Sequence, residues 1–358
     1  MRVASRGEPA ERLTFKDSTQ GSETLPAVLR VGLDLSPLAL TKAGTARYLT
    51  NLLDGLESDP SLEVQRYSFE GSGRLKRIVR DTVWYPVTLP RAARRDGVDV
   101  LHCTSMRAPF RSRIPLVVSI HDVAVLRHPQ TFNRWTRTYS ARALPRVASA
   151  ANAIVVGSQF AADEVRKLLH VPAEKLHVIP YGVGPPFGQD GPRADGEYVL
   201  AVSTLEPRKN LPRLVEGFRR SGLDGLELRL VGAEGWGDVR IKGDRIRRLE
   251  GVDDEELARL YRGAACVAYV SLYEGFGLPV LEAMACAAPV VAPGGPPFSE
   301  FAHGIAFEVD PLDPDSIAQG LQRAVAAGKQ SVGARRAADY SWERAVQAHV
   351  DLYRALAA

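Results

Sequence analysis

Cysteine is scarce in this 358-residue sequence, which contains only Cys103, Cys266 and Cys286. None of them belongs to a C-x-x-C pair, and all three lie in apolar surroundings, which indicates reduced, buried thiols and a cytoplasmic location. The seven histidines show no spacing typical of metal ligands. The sequence therefore predicts neither a disulfide framework nor a metal site.

Long apolar runs are also missing. A membrane-spanning helix needs about 18 uninterrupted apolar residues. The best candidate, residues 281–292, is broken by Glu282 and Pro289. The first 27 residues are polar and rich in Gly, Ser and Glu, without the apolar core of a signal peptide. We expect residues 1–27 to form a disordered leader.

The composition and the pattern of the remaining chain are typical of a globular α/β protein. Apolar residues make up 45% of the sequence and charged residues 25%, and the length suits two domains. Strand and helix patterns alternate throughout, which predicts parallel α/β units. We place the domains at residues 28–182 and 197–340, with a Gly/Pro-rich linker at 183–196 between them. An amphipathic helix is expected over residues 341–358.

The most informative segment runs from residue 271 to residue 291 and contains two glutamates, Glu274 and Glu282. The apolar residues 265–270 predict a buried parallel strand, and Pro279 suits the first position of the following helix. Glycines in the turn let the backbone approach a ligand, and the free N–H groups of a helix start suit a phosphate. We expect Glu274 at the strand tip and Glu282 in the first helical turn, both within reach of one ligand. The residues between the two glutamates begin with Gly275, Phe276, Gly277, Leu278 and Pro279.

Two adjacent cations, Arg208 and Lys209, stand between a predicted strand at residues 198–203 and a helix. A leaving nucleoside diphosphate develops negative charge, which cations at a strand tip offset in the transition state. We therefore predict that both side chains contact a diphosphate.

A third motif, Asp313-Pro314-Asp315, looks like a metal-binding DxD motif. Pro314 suits the first position of a helix, and a helical pattern follows it. We therefore interpret Asp313 as a helix N-cap and not as a metal ligand.

The spacing of the two glutamates around Gly-Phe-Gly-Leu-Pro, together with the segment Thr-Leu-Glu-Pro-Arg-Lys-Asn at residues 204–210, closely resembles family-4 glycosyltransferases. Those enzymes are retaining, use nucleotide sugars and have the α/β GT-B fold, two Rossmann-like domains with parallel sheets facing a central cleft. The resemblance implies that Glu282 holds the ribose hydroxyls, that Glu274 lies against the donor sugar, and that the intervening turn belongs to the nucleotide site. Relatives often carry an arginine where this chain has Ser203, which leaves Arg208 as the second phosphate contact.

Two positions in the first domain match the family less specifically. Gly44 opens a helix before an Arg47-Tyr48 pair, and the resemblance implies that this glycine lets its loop approach the diphosphate. His121 follows a predicted strand at residues 115–120, at the carboxyl end, where open α/β sheets bind ligands. The resemblance places His121 against the donor sugar.

Charge is unevenly distributed although the net charge is only +4. Residues 101–150 carry eight arginines and one acid, a net charge of +7, whereas residues 251–320 carry a net charge of −9. No nucleic-acid motif accompanies the basic region, so we expect no nucleic-acid partner. Phe132, Trp135 and Tyr139 lie among the arginines, which favours contact with an anionic membrane surface over a merely solvated arginine-rich face.

These features predict a hexosyltransferase that moves a sugar from a nucleotide-diphosphate donor to a hydroxyl of a glycan or lipid-linked acceptor, with retention and without a metal or other cofactor. GDP-mannose is the first candidate donor, because the segment at residues 204–210 looks most like mannosyl- and related transferases of surface-polysaccharide assembly. Two alternatives stay open: a non-hydrolysing sugar-nucleotide epimerase, which shares the fold, and a non-catalytic sugar-nucleotide-binding subunit. The presence of Glu274, Arg208 and Lys209 together argues against the non-catalytic subunit.

Overall fold

The computed structural model describes residues 28–39, 44–71, 73–235, 237, 241 and 243–358. The expected leader, residues 1–27, lies outside the described residues. The described chain contains two six-stranded sheets, one in each half.

Twelve strands form these sheets in the described part of the chain. They are β1 (Leu29–Asp34), β2 (Leu62–Tyr67), β3 (Val100–Cys103), β4 (Leu116–Ser119), β5 (Ala153–Val156), β6 (Leu176–Val178), β7 (Tyr198–Val202), β8 (Glu227–Val231), β9 (Ile246–Leu249), β10 (Cys266–Ala268), β11 (Val290–Pro293) and β12 (Phe307–Val309). The first sheet has the order β2-β1-β3-β4-β5-β6 and the second the order β12-β11-β10-β7-β8-β9. Every pair is parallel, so in each sheet the carboxyl ends of the strands meet along one edge. The prediction of parallel α/β units is confirmed.

Helices connect the strands, as parallel pairing requires. They are α1 (Gly44–Glu57), α2 (Arg74–Val79), α3 (Leu89–Arg95), α4 (Ala124–Arg127), α5 (Arg134–Ala150), α6 (Gln159–Leu169), α7 (Leu211–Arg220), α8 (Asp254–Gly263), α9 (Leu278–Ala285), α10 (Phe298–Phe301), α11 (Pro314–Ala327), α12 (Ser331–Ala337) and α13 (Trp342–Ala357). Short polar side chains cap several of them, because the first N–H groups of a helix have no partner within it. Asp313 accepts from the amide of Asp315 at 2.9 Å, which confirms its prediction as an N-cap.

A π-helix, Arg80–Thr88, joins α2 directly to α3 and contains Pro86. Proline has no N–H to donate, and in an α-helix its ring clashes with the carbonyl four residues earlier. The wider π turn accommodates the proline, so helical structure runs from Arg74 to Arg95. The sequence did not predict this helical connection.

One strand is shorter than the sequence predicted. Residues 265–270 were expected to be extended, but β10 comprises only Cys266–Ala268. The chain then leaves the sheet because the amide of Leu272 donates to the carbonyl of Arg208 at 2.9 Å. This departure carries the following residues toward the cation pair.

Helix α13 packs against α1 of the first half and completes its core. His349 and Tyr353 are fully buried, and they join a series of hydrogen bonds with the first sheet. The imidazole of His349 donates through Nδ1 at 2.7 Å to a carbonyl of its own helix, so Nε2 accepts from Tyr48 at 3.1 Å. From donor to acceptor, the series runs from Tyr353 through His102, Ser119, Tyr48 and His349 to the carbonyl of Ala345.

Candidate active site

Glu274 lies in the turn between β10 and α9, beyond the carboxyl edge of the second sheet, and has three close partners. Lys209 donates to its Oε1 at 2.6 Å, and the hydroxyl of Ser271 donates to the same oxygen at 2.6 Å. The guanidinium of Arg208 lies 3.0 Å from Oε2. The structure therefore brings together the glutamate turn and the cation pair, which the sequence presents as separate motifs.

The charge of Glu274 is fixed by these partners. Burial would raise the pKa of this carboxyl, but the charges of Arg208 and Lys209 and the hydrogen bonds from Lys209 and Ser271 outweigh burial and lower the pKa to about 2. Glu274 is therefore ionised at neutral pH. A permanently ionised carboxylate does not serve as a general acid, but it stabilises positive charge that develops on a neighbouring group.

Arg208 connects this cluster to a second buried carboxylate, Glu206. Its guanidinium donates to Glu206 Oε1 at 2.6 Å and also to the carbonyl of Tyr273. Burial raises the pKa of Glu206, against the lowering effect of the neighbouring cations. Neither Glu206 Oε2 nor Arg208 Nε has a hydrogen-bond partner among the described residues. Arg208 Nε is thus a donor that can bond to a bound phosphate oxygen.

Glu282 lies one position further along α9 than the sequence predicted. Gly277 has a φ of 110° and precedes the first helical residue, so the helix begins at Leu278 and Pro279 takes its second position. An added Cβ at Gly277 would lie 2.6 Å from the ring of Phe298, so both the backbone conformation and the space require glycine. Glu282 is consequently in the second turn, and the expectation of a first-turn glutamate is wrong.

Both carboxylate oxygens of Glu282 have partners, and one of them comes from the first domain. Tyr261 donates to Oε2 at 3.1 Å, and Arg47 of α1 forms an ion pair with Oε1. Arg47 also binds Asp254, with a separation of 2.5 Å. Burial raises the pKa of Glu282, and Arg47 and Tyr261 offset only part of this effect. The carboxylate that the resemblance assigns to the ribose is therefore held by a cation from across the cleft.

His121 lies just beyond the end of β4, and both of its ring nitrogens are hydrogen-bonded within the first domain. Nε2 donates to the carbonyl of Thr104 at 2.9 Å, so Nδ1 accepts from the hydroxyl of Tyr181 at 2.6 Å. Burial lowers the pKa of His121, which favours the neutral ring. A contact between the His121 ring and a donor sugar would have to replace one of these hydrogen bonds. The backbone carbonyl of His121 faces Gly275 of the second domain.

The remaining predicted residues lie where the two domains meet. An added Cβ at Gly275 would be 1.7 Å from the carbonyl oxygen of His121, so no larger residue fits. Phe276 packs between the domains, with its ring 4.9 Å from Tyr181 and 5.2 Å from Phe301. Gly44 begins α1 beside the second domain, and an added Cβ there would be 3.7 Å from Leu278.

Three contacts that the sequence did not predict hold the second domain against the first, two of them from the Glu274 turn and one from α10. The ring of Tyr273 packs 5.7 Å from the ring of Phe160. The hydroxyl of Ser158 donates to the carbonyl of Gly275 at 2.6 Å. The carboxylate of Glu300 accepts from the first two amides of α6, at 2.9 and 2.7 Å. These partners are more than a hundred residues apart in the chain, so no local pattern could reveal them.

Within the described ranges, no group of three His, Cys, Asp or Glu side chains is arranged so that it could hold a metal ion. In the same part of the chain, no helix combines the length and the apolar character needed to cross a bilayer.

Comparison with known proteins places this site in a family. The description "Glycosyltransferase Family 4" matches residues 43–185, and the description "Glycosyl transferases group 1" matches residues 187–339. The chain is 29% identical to O-antigen chain mannosyltransferase B of Escherichia coli, over 74% of this chain and 76% of that protein. It is 28% identical to MMP alpha-(1->4)-mannosyltransferase of Mycolicibacterium hassiacum, over 73% of this chain and 72% of that protein.

Solved structures of the same architecture extend over almost the whole chain. A sucrose-phosphate synthase from Thermosynechococcus elongatus superposes with a TM-score of 0.72 at 18% identity, covering 92% of this chain and 99% of that one. Anabaena HepE in complex with UDP-glucose superposes with a TM-score of 0.69 at 17% identity, covering 91% and 100%. These likenesses confirm the predicted two-domain GT-B fold. With the two family descriptions matching one domain each, the chain belongs to the family-4 glycosyltransferases.

Proposed function

We propose that the chain transfers a mannosyl group from a nucleoside-diphosphate sugar to an acceptor hydroxyl, with GDP-mannose as the first candidate donor. Support for the sugar comes from the names of three relatives, all mannosyltransferases and two of them specific for O-antigen chains. Support for a nucleotide sugar comes from Anabaena HepE, which has the same fold and was crystallised with UDP-glucose.

The observation that carries this proposal is the cluster of Glu274, Arg208 and Lys209 at the carboxyl edge of the second sheet. Arg208 and Lys209 bind the diphosphate and offset the charge that develops as it leaves. The ionised Glu274 stabilises the positive charge on the reacting sugar. Glu282 binds the ribose once Arg47 has released it, and its hydrogen bonds fix the position of the nucleotide.

Transfer proceeds with retention at the anomeric carbon. The bond from this carbon to the phosphate oxygen breaks, and a bond to the acceptor oxygen forms on the same face of the sugar. The departing phosphate takes the acceptor proton, so no protein nucleophile is needed. NMR spectroscopy of the product tests this step, because an inverted anomeric configuration would contradict it.

No metal takes part in the proposed reaction, because fixed cations and helix N–H groups supply the positive charge. Treatment with EDTA should leave turnover largely intact. Loss of activity that Mn²⁺ or Mg²⁺ restores would contradict metal independence. It would make Asp313 and Asp315 the first candidates for metal ligands.

We further propose that the enzyme works in the cytoplasm, at a membrane that carries a glycan or lipid-linked acceptor. Three free, buried cysteines are consistent with a reducing compartment. Two of the eight arginines in residues 101–150 form ion pairs, Arg107 with Asp81 and Arg127 with Glu164. The other six are exposed and are available to face an anionic surface: Arg111, Arg113, Arg134, Arg137, Arg142 and Arg146.

Thermal denaturation with a panel of nucleotide sugars tests the donor assignment. A ligand at 100 times its Kd should stabilise the protein by about 2.7 kcal/mol, and GDP-mannose should do so at the lowest concentration. Each stabilising nucleotide sugar is then incubated without acceptor. Its interconversion would instead favour the epimerase. Binding without turnover across an acceptor panel would favour the non-catalytic subunit.

A further inference from the structure

An exposed apolar stripe runs along the helical segment from α2 into the π-helix. Leu75, Val79 and Val83 are spaced four residues apart, and their exposed fractions are 75%, 38% and 45%. Side chains with this spacing lie on one side of a helix. Other exposed large apolar residues lie on separate segments of the described chain, namely Val28, Val178, Leu272, Leu312 and Val332.

Basic residues surround this stripe. Arg74, Lys76 and Arg77 are exposed on the same helix. Residues 74–95 contain seven basic residues and one acid, a net charge of +6. An apolar helix face bordered by lysine and arginine is typical of helices that lie in a membrane interface.

Trp135 and Tyr139 of α5 contact the opposite, buried side of this helix at Asp81. The indole of Trp135 donates to Asp81 of the π-helix at 3.4 Å, and Tyr139 donates to the carbonyl of Asp81 at 3.3 Å. The two aromatic rings stack with their centroids 6.1 Å apart, yet Trp135 remains 39% exposed. These contacts fix the helix against α5 and leave the stripe of Leu75, Val79 and Val83 on its outer side.

We propose that Leu75, Val79 and Val83 form a surface that docks on an anionic phospholipid bilayer. The apolar side chains enter the boundary between headgroups and acyl chains, and the neighbouring cations bind the phosphodiester groups. An anionic bilayer fits better than a protein partner because a row of aliphatic side chains is bordered by charges of one sign. This surface is separate from the arginines of residues 101–150, on which the membrane proposal rests. Only the role of the surface in bringing the enzyme to a membrane-bound acceptor depends on the proposed function.

The stripe is fixed to the reaction cleft by its own helix. Tyr85 of the π-helix donates to the buried carboxylate of Asp34 at 3.0 Å, at the carboxyl end of β1. This edge of the first sheet lies across the cleft from the Glu274 cluster, because the carbonyl of His121 at the same edge contacts Gly275. Docking through the stripe therefore holds the acceptor side of the cleft beside the bilayer, where a lipid-linked sugar presents its hydroxyl.

Co-sedimentation of the full chain with vesicles tests the proposal, using neutral phosphatidylcholine and a mixture containing phosphatidylglycerol. We expect binding to the anionic vesicles that weakens as salt increases, because the Debye length falls. Leu75→Ser, Val79→Ser and Val83→Ser together should weaken this binding at least tenfold. Arg74→Gln, Lys76→Gln and Arg77→Gln together should weaken it on the order of 100-fold, because each cation contributes about fivefold. The matched control replaces the scattered exposed residues Val28, Leu312 and Val332 by serine and should bind as the original chain does.

Two outcomes would overturn the proposal: no binding of the original chain to anionic vesicles, or equal loss in the apolar triple variant and in its control. The thermal shift produced by GDP-mannose is measured on the same samples. Vesicle binding with no donor shift would leave the docking surface standing and contradict the proposed donor. A thermal shift with GDP-mannose but no vesicle binding would support the proposed donor and contradict the docking surface.

Discussion

Glu274 and Glu282 are both buried and lie eight positions apart, yet their surroundings shift their pKa values in opposite directions. Burial raises the pKa of both carboxyls, but at Glu274 two cations and two hydrogen bonds reverse this effect and lower the pKa to about 2. At Glu282, Arg47 and Tyr261 leave the pKa raised. The number of opposing charges decides the outcome, because the desolvation penalty acts on both.

The two glutamates also differ in where their cations come from. Lys209 and Arg208 belong to the same domain as Glu274, so this cluster persists whatever the first domain does. Arg47 belongs to the first domain, so the environment of Glu282 depends on contact between the domains. The first site is therefore suited to chemistry that needs a constant charge, and the second to binding that changes as the cleft opens.

The largest effect should follow from Glu274→Gln, which keeps the shape of the side chain and removes its charge. We expect kcat to fall about 10²- to 10³-fold, as when one preorganised electrostatic group is removed, with a smaller change in the donor KM. The control is Glu227→Gln, since Glu227 also pairs with an arginine but lies at the start of β8, away from the carboxyl edge of the sheet. Near-normal turnover in a folded Glu274→Gln protein would contradict the role assigned to this carboxylate.

Glu274→Gln and Glu282→Gln should have opposite effects on the pH dependence of stability. A depressed pKa contributes stability above the ordinary value of 4.5, and this stability is lost as the pH falls toward 2. Glu274→Gln should therefore cost about 3 kcal/mol near pH 7, with the cost shrinking below about pH 4.5. The raised pKa of Glu282 acts with the other sign, so stability is lost as the pH rises above 4.5 through the folded pKa. Urea unfolding of both variants between about pH 4 and pH 7 measures this contrast, and parallel curves would refute it.

Glu282→Gln should mainly weaken donor binding. Hydrogen bonds from ribose hydroxyls to a carboxylate contribute about 1.5–3 kcal/mol each and are similar in ground and transition states. We expect the donor KM to rise about 10- to 100-fold while kcat changes little. Steady-state kinetics with varied donor concentration separate the two constants. A fall in kcat alone would indicate that the roles of the two glutamates are exchanged.

The smallest effect is expected from Glu300→Ala, which removes the carboxylate that binds the start of α6 across the domain interface. A carboxylate at a helix N-terminus contributes about 1 kcal/mol, so kcat/KM should fall roughly fivefold. Small-angle scattering should show a larger radius of gyration without donor. Glu308→Ala is the control, because Glu308 pairs only locally with His303. An unchanged radius of gyration would show that Glu300 does not help to hold the two domains together.

Much of the fold could be predicted because its signals are local. The strand–helix alternation and the cap at Asp313 depend on neighbouring residues, and both are confirmed. The helix over residues 74–95 was not predicted, since the Pro86 that would end an α-helix is accommodated by a π turn. The shorter β10 depends on a hydrogen bond to Arg208, more than sixty residues away, which local propensity does not contain.

The candidate site was predictable in its residues but not in its pairings. Motifs marked Glu274, Arg208 and Lys209, and the structure brings the three together. The pairing of Arg47 with Glu282 spans 235 positions and two domains, so it arises only when both sheets are formed and face one another. The different pKa values of the two glutamates follow from such pairings and could not be inferred from a single sequence.

The buried hydrogen-bond series between α13 and the first sheet has a consequence for how the chain is made. His102 and Tyr48 are synthesised more than two hundred residues before their respective partners, Tyr353 and His349. While the ribosome is still producing the second domain, these polar groups lack their native partners, and burying them unpaired is unfavourable. The first domain, although translated first, therefore reaches its final packing only after residue 353 has emerged, and until then it presents an open surface to chaperones.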